Sequence, residues 1–174
     1  MYNHSMKVLI LGGNSPRHYD WIRELGGYLE TQGHQVMLHD YRHWATGASA
    51  ANIDDELARL ADLAIGQDDY IVISKSIGTV IAALGVARGI LHPSRCVLMG
   101  IPYQGIAGAT PDFEQSLKQL PRTTIIQNEH DPLGAAEMVA SRLEAVQNDA
   151  IALIMTPGDT HDYLDFTLIA RQLA

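Results

Sequence analysis

Cysteine is nearly absent from this chain: Cys96 is the only one in 174 residues. No intrachain disulfide can form, which fits a reducing compartment, so a cytoplasmic location is expected. Cys96 itself sits in the apolar run Cys96-Val97-Leu98-Met99 and reads as a buried core thiol. Basic residues are also few. Twelve Lys and Arg against 20 Asp and Glu leave a net charge of −8, and no basic run exists to follow a phosphate backbone, so no nucleic-acid partner is expected. No run of 18 apolar residues is present, so no membrane partner is expected either. The opening Met1-Tyr2-Asn3-His4-Ser5-Met6 lacks the basic and then apolar regions of a signal peptide, and residues 1–5 read as a loose tail. With no repeat, low-complexity tract or linker, residues 1–174 read as one domain, long enough for a substantial core.

What is present is a regular alternation. Apolar runs of strand length occur at 7–11, 35–40, 69–74, 95–100, 122–127 and 150–155. Helical patterns separate them at 17–32, 52–66, 77–90, 111–119, 134–147 and 163–173. Such alternation implies βαβ units and a parallel sheet. The strands are nearly continuous in apolar residues, as in Val8-Leu9-Ile10-Leu11, which suits a sheet covered by helices on both faces. The expected class is therefore α/β: a three-layer sandwich with a mostly parallel six-stranded sheet. Residues 41–51 and 101–111 are the least regular. The second follows a strand and carries apolar side chains between breakers, which suits a substrate wall as well as a plain loop.

The most informative stretch is Ser74-Lys75-Ser76-Ile77-Gly78. It lies between a strand run and a helical run, with a serine at the apex. Small residues two before and two after Ser76 let the backbone turn sharply, the geometry of a nucleophile elbow. The same serine also suits a helix N-cap. Two later strand ends carry an acid and a base: Asn128-Glu129-His130-Asp131-Pro132 and Pro157-Gly158-Asp159-Thr160-His161-Asp162. In a parallel sheet these ends share the carboxyl edge, where open α/β sheets bind ligands. Asp131 could instead start a turn, and His161 could be a loop histidine. Glu129 competes with Asp131 for the acid role. Lys75 should point to the opposite face from its serine neighbours, which disfavours a Ser–Lys pair. Ser74 reads as a packed residue.

In this order of elements and in these residues the chain resembles the α/β-hydrolases, from Lys7 to Leu173. The resemblance implies strand order 2-1-3-4-5-6, with Ser76 as nucleophile, Asp131 as acid and His161 as base. It also implies that Leu9-Ile10-Leu11-Gly12-Gly13-Asn14-Ser15 is the first glycine loop. An oxyanion would then be held by the backbone N–H of Ile77 and by that of Gly13 or, second, Asn14. Two departures are visible: Leu11 stands where many members have a histidine, and Ser74 replaces the first glycine of the elbow. No insertion is long enough for a lid, as in the small lidless bacterial members.

The chemistry so implied is acyl transfer. His161 would take the Ser76 proton as the hydroxyl attacks, while Asp131 fixes the imidazole tautomer. The expected function is a serine hydrolase cleaving a small-molecule ester or thioester through an acyl-serine. Alternatives on the same fold are a non-catalytic binding protein, or an amidase or peptidase using the same residues. No cofactor is expected, since Gly12-Gly13 lacks dinucleotide-loop spacing. No metal is expected either: His39 and His43 follow a strand and lack a third ligand. His18 is expected near the pocket mouth.

Overall fold

The computed structural model describes residues 5–64, 66–108 and 110–174. The strands are β1 (Lys7–Leu11), β2 (Gln35–His39), β3 (Tyr70–Lys75), β4 (Arg95–Met99), β5 (Thr123–Asn128) and β6 (Ile151–Thr156). The helices are α1 (His18–Thr31), α2 (Arg42–Thr46), α3 (Ile53–Ala64), α4 (Ile77–Ala87), α5 (Thr110–Leu117), α6 (Ala136–Val146) and α7 (Phe166–Arg171). All six strands join one sheet in the order β2-β1-β3-β4-β5-β6, and every pairing is parallel. This is the expected topology, with the serine strand in the middle. Of the tail expected over 1–5, only Ser5 lies among the described residues.

Strand side chains alternate between two cores, because successive Cβ atoms point to opposite faces. Leu9, Leu11, Val72, Cys96 and Leu98 join α3, α4, α5 and α6 on one face. Val8, Ile10, Ile71, Ile73, Val97 and Met99 join α1 and α7 on the other. Every residue of β3 is buried, whereas β6 is an edge strand with Met155 58% exposed. Cys96 is fully buried, and burial pushes its thiol up to about 12. No helix among the described residues is long and apolar enough to cross a membrane.

Two short helical pieces lie in the stretches expected to be irregular: α2, and a 3-10 turn at Tyr103–Ile106. Helix α2 has only five residues and ends on Gly47 in the left-handed region, φ 74°, a common helix stop. A single turn like this gains little from its own hydrogen bonds; its aromatic contacts hold it. Helix α7 starts at Phe166 rather than 163. Tyr163 is occupied elsewhere (below), and the Asp165 carboxylate accepts from Leu168 N and sets the start.

Candidate active site

At the end of β3 the chain reverses on Ser76, at φ 57° and ψ −127°. A positive φ on a residue with a Cβ costs about 1–3 kcal/mol and persists only where surroundings impose it. The surroundings are visible. Ser76 N–H donates to Met99 O at 2.9 Å, and Ser76 O accepts from Thr79 N at 2.9 Å and Thr79 Oγ1 at 2.7 Å. The Ser76 side chain makes no cap hydrogen bond to α4, so the hydroxyl is not employed as an N-cap. Two residues on, Gly78 N–H donates to Gly12 O at 3.1 Å. A Cβ on Gly78 would lie 2.6 Å from that oxygen, so this close approach of elbow to β1 loop needs glycine. Ser74 is buried in the sheet, and its hydroxyl has no hydrogen-bond partner among the described residues.

Asp131 and His161 meet over the carboxyl edge. His161 Nδ1 lies 2.9 Å from Asp131 Oδ1 and 2.8 Å from Oδ2. The same carboxylate accepts from Tyr163 O–H at 2.6 Å and from Leu133 N–H at 2.9 Å. Burial alone would raise the Asp131 pKa, but the hydrogen bonds from His161, Tyr163 and Leu133 outweigh it and hold the carboxyl below its ordinary value. Glu129 is exposed and contributes its backbone N–H to Thr156 O. Gly100, at φ 62°, leaves room for two rings: a Cβ there would sit 2.6 Å from Tyr163 Cε2 and 2.8 Å from His161 Cε1.

His161 Nε2 is buried without a hydrogen-bond partner among the described residues. The residue lines a cavity of about 220 Å³ together with Ser76, Ile77, Asn14 and His18. The serine and the histidine thus share one cavity without the hydrogen bond between them being made; such contacts are often long until substrate is bound. Ile77 opens α4, so its N–H has no intrahelical acceptor. Opposite it, the β1 loop is held by the approach to α2. Tyr41 O–H donates to Gly12 O at 3.0 Å; His43 Nε2 lies 2.7 Å and Trp44 Nε1 3.2 Å from Asn14 O. Asn14 Oδ1 accepts from Ala51 N–H at 3.0 Å, which ties the Asn14 side chain to the segment after α2. Gly13 passes between His18 and the serine: a Cβ on it would lie 2.0 Å from His18 Nδ1 and 2.9 Å from Ser76 Cβ.

The structure therefore gathers Ser76, Ile77, Asn14 and His161 around one cavity, with Gly13 against Ser76 and Asp131 behind His161. His18 is part of the cavity wall. Burial first, then the positive charge of Lys75, lower its pKa to about 4. His39 and His43 turn to different partners, His39 to Glu56 at 2.8 Å and His43 to Asn14 O. Sequence reading passed over Tyr41, Trp44 and Tyr163. Their sequence signal is slight: an aromatic residue with a polar tip in a loop beside the sheet edge.

No family model matches the sequence, and no curated protein matches it. Solved structures do. An N-formylmaleamic acid deformylase from Pseudomonas putida S16 superposes with a TM-score of 0.70 at 13% identity, over 96% of this chain and 92% of that one. The esterase domain of a Rhodothermus marinus protein gives a TM-score of 0.72 at 14% identity, over 99% and 87%. Alpha/beta hydrolase domain-containing protein 10 from mouse gives 0.66 at 9%, over 96% and 87%. The fold is that of the α/β-hydrolases. In that fold Ser76 stands at the strand-to-helix turn after the central strand, and Asp131 and His161 follow the two strands at the far edge.

Proposed function

We propose that this chain is a serine hydrolase that cleaves a small carboxylic ester or thioester through an acyl-Ser76 intermediate. The observation that carries the reading is the pairing of a strained, uncapped Ser76 with a His161 whose Nδ1 is fixed on Asp131. That bond presents Nε2 as the acceptor of the Ser76 proton. Attack on the substrate carbonyl transfers the proton from Oγ to Nε2 and forms a tetrahedral oxyanion. The N–H groups of Ile77 and Gly13 would bind it, each such donor contributing about 2.7–4 kcal/mol in enzymes of this kind. The imidazolium then protonates the leaving group, and water, deprotonated by the same Nε2, releases the acid. Two neighbours bear the names esterase and deformylase, in keeping with acyl transfer to water. An open cavity without a lid insertion favours small or flexible acyl groups.

The test is a fluorophosphonate probe on intact protein, with 4-nitrophenyl butyrate as substrate. One adduct on Ser76 and turnover, both absent in Ser76→Ala, are the expected results. Labelling or turnover that survives in Ser76→Ala removes the nucleophile. A folded wild type that neither labels nor turns over esters leaves the non-catalytic reading of this fold.

A further inference from the structure

The reaction proposed above makes no use of the one buried ammonium beside it. Lys75 is the last residue of β3, and strand alternation turns it away from Ser74 into the core formed with α1 and α7. It is only 2% exposed. Its Nζ makes no hydrogen bond to the described residues; the nearest acid, Asp162 Oδ1, is 3.8 Å away on a side chain that is 68% exposed. The ammonium sits 5.4 Å from the Trp21 ring centre and 6.0 Å from that of Tyr163. A buried charge with so loose a counter-ion is costly to maintain, and such groups gather at functional sites.

Lys75 opens onto a second cavity, of about 340 Å³, walled by Trp21, His18 and His161. His18 and His161 also wall the Ser76 cavity, so the two spaces adjoin across the imidazoles. The remaining charges around the second cavity, Arg17, Asp20, Glu24 and Asp162, belong to exposed residues, where water and salt screen them. The inner wall of the cavity thus sets the Lys75 ammonium beside the Trp21 ring, while three acids and one arginine stand at the exposed rim.

We propose that this cavity is a substrate subsite for a carboxylate, bound by Lys75, and that the enzyme acts on esters or thioesters carrying a free carboxylate on one arm. The proposal rests on the Ser76–His161 reading and narrows its substrate class. A carboxylate placed there supplies the close counter-ion and the hydrogen-bond acceptor that Lys75 lacks. The reacting carbonyl meanwhile lies on the Ser76 side of the imidazoles.

Two matched pairs of substrates test this on the whole protein. Mono-4-nitrophenyl glutarate against 4-nitrophenyl butyrate places the carboxylate in the acyl arm. 4-Carboxyphenyl butyrate against phenyl butyrate places it in the leaving group. One pair is expected to favour its carboxylated member at least tenfold in kcat/KM, mainly through KM, and which pair does so assigns the arm. In Lys75→Met that ratio falls tenfold or more, and Lys75→Arg restores part of it. Neutral esters turned over with no preference in either pair, or a preference that survives in Lys75→Met, overturn the subsite and leave the serine reading standing. Calorimetry with glutarate on wild type is a second arm that needs neither turnover nor a folded variant. Binding of glutarate but not of glutaramide supports the subsite even if no ester is cleaved, and absence of glutarate binding overturns it.

Discussion

Ser76 carries backbone strain without a capping bond, and that separates its two readings by experiment. Loss of an N-cap costs about 0.5–2 kcal/mol. The Ser76 hydroxyl caps nothing, so Ser76→Ala should lower the unfolding free energy measured in urea by less than that while ending probe labelling. A clear loss of stability with labelling retained would restore the cap reading. The acid is decided by comparing Asp131→Asn with Glu129→Gln. Asp131 holds His161 Nδ1, while Glu129 is exposed, so the asparagine variant should lose turnover by several orders of magnitude. In a serine protease the same change costs about 10⁴ in kcat. The glutamine variant should stay near wild type, and the reverse pattern would move the acid to Glu129.

The pH dependence of stability also belongs to single residues. The folded His18 pKa, about 4, lies below its usual 6.5, so between these values the unfolded chain binds more protons at this site. Its contribution is therefore complete above pH 6.5 and is lost as pH falls toward 4. Asp131 is depressed from 3.8, and its contribution is present above that value and lost only at lower pH. His18→Gln should flatten the decline of the urea midpoint between pH 6.5 and 4 and leave the steeper loss at stronger acid. An unchanged slope in that window would show that His18 takes up a proton freely in the folded protein.

At the scale of elements, strands and long helices were legible in the sequence because each is an apolar run or an amphipathic period. β1 matches to the residue, and β3, β5 and β6 are shifted by one. Ser76, Asp131 and His161 were legible because each follows a strand whose end the pattern marks. Helix α2 was not: five residues give no period, and its worth lies in contacts to a loop some thirty positions earlier. Tyr41 O–H reaches Gly12 O across 29 positions, and Trp21 Nε1–H reaches Tyr163 O across 142. No local pattern encodes such pairs. Tyr41→Phe should therefore cost about 0.5–1.5 kcal/mol, the net worth of one hydrogen bond, because Gly12 O keeps the Gly78 N–H. It should also lower kcat more than it raises KM, because the Gly13 and Asn14 main chain loses a support. A purely structural Tyr41 would change stability and leave kcat alone.

For the whole molecule, the consequence lies in where the two halves of the site sit in the sheet. Ser76 follows β3, fully buried between β1 and β4; His161 follows β6, which pairs on one side only and is half-exposed along its length. Folded proteins open piecemeal, and weakly covered edges open at lower free energy than centres. His161 is therefore mounted on the part of the sheet expected to open first, and Ser76 on the part expected to open last. Amide hydrogen exchange should be faster in 151–165 than in 70–87, and catalysis should fail at lower urea than the loss of circular dichroism. Coincident midpoints would mean that β6 and the centre come apart together. During synthesis the same layout runs in reverse: the turn at Ser76 can form while the ribosome still holds the histidine, so the proposed active site would assemble only after β6 has emerged.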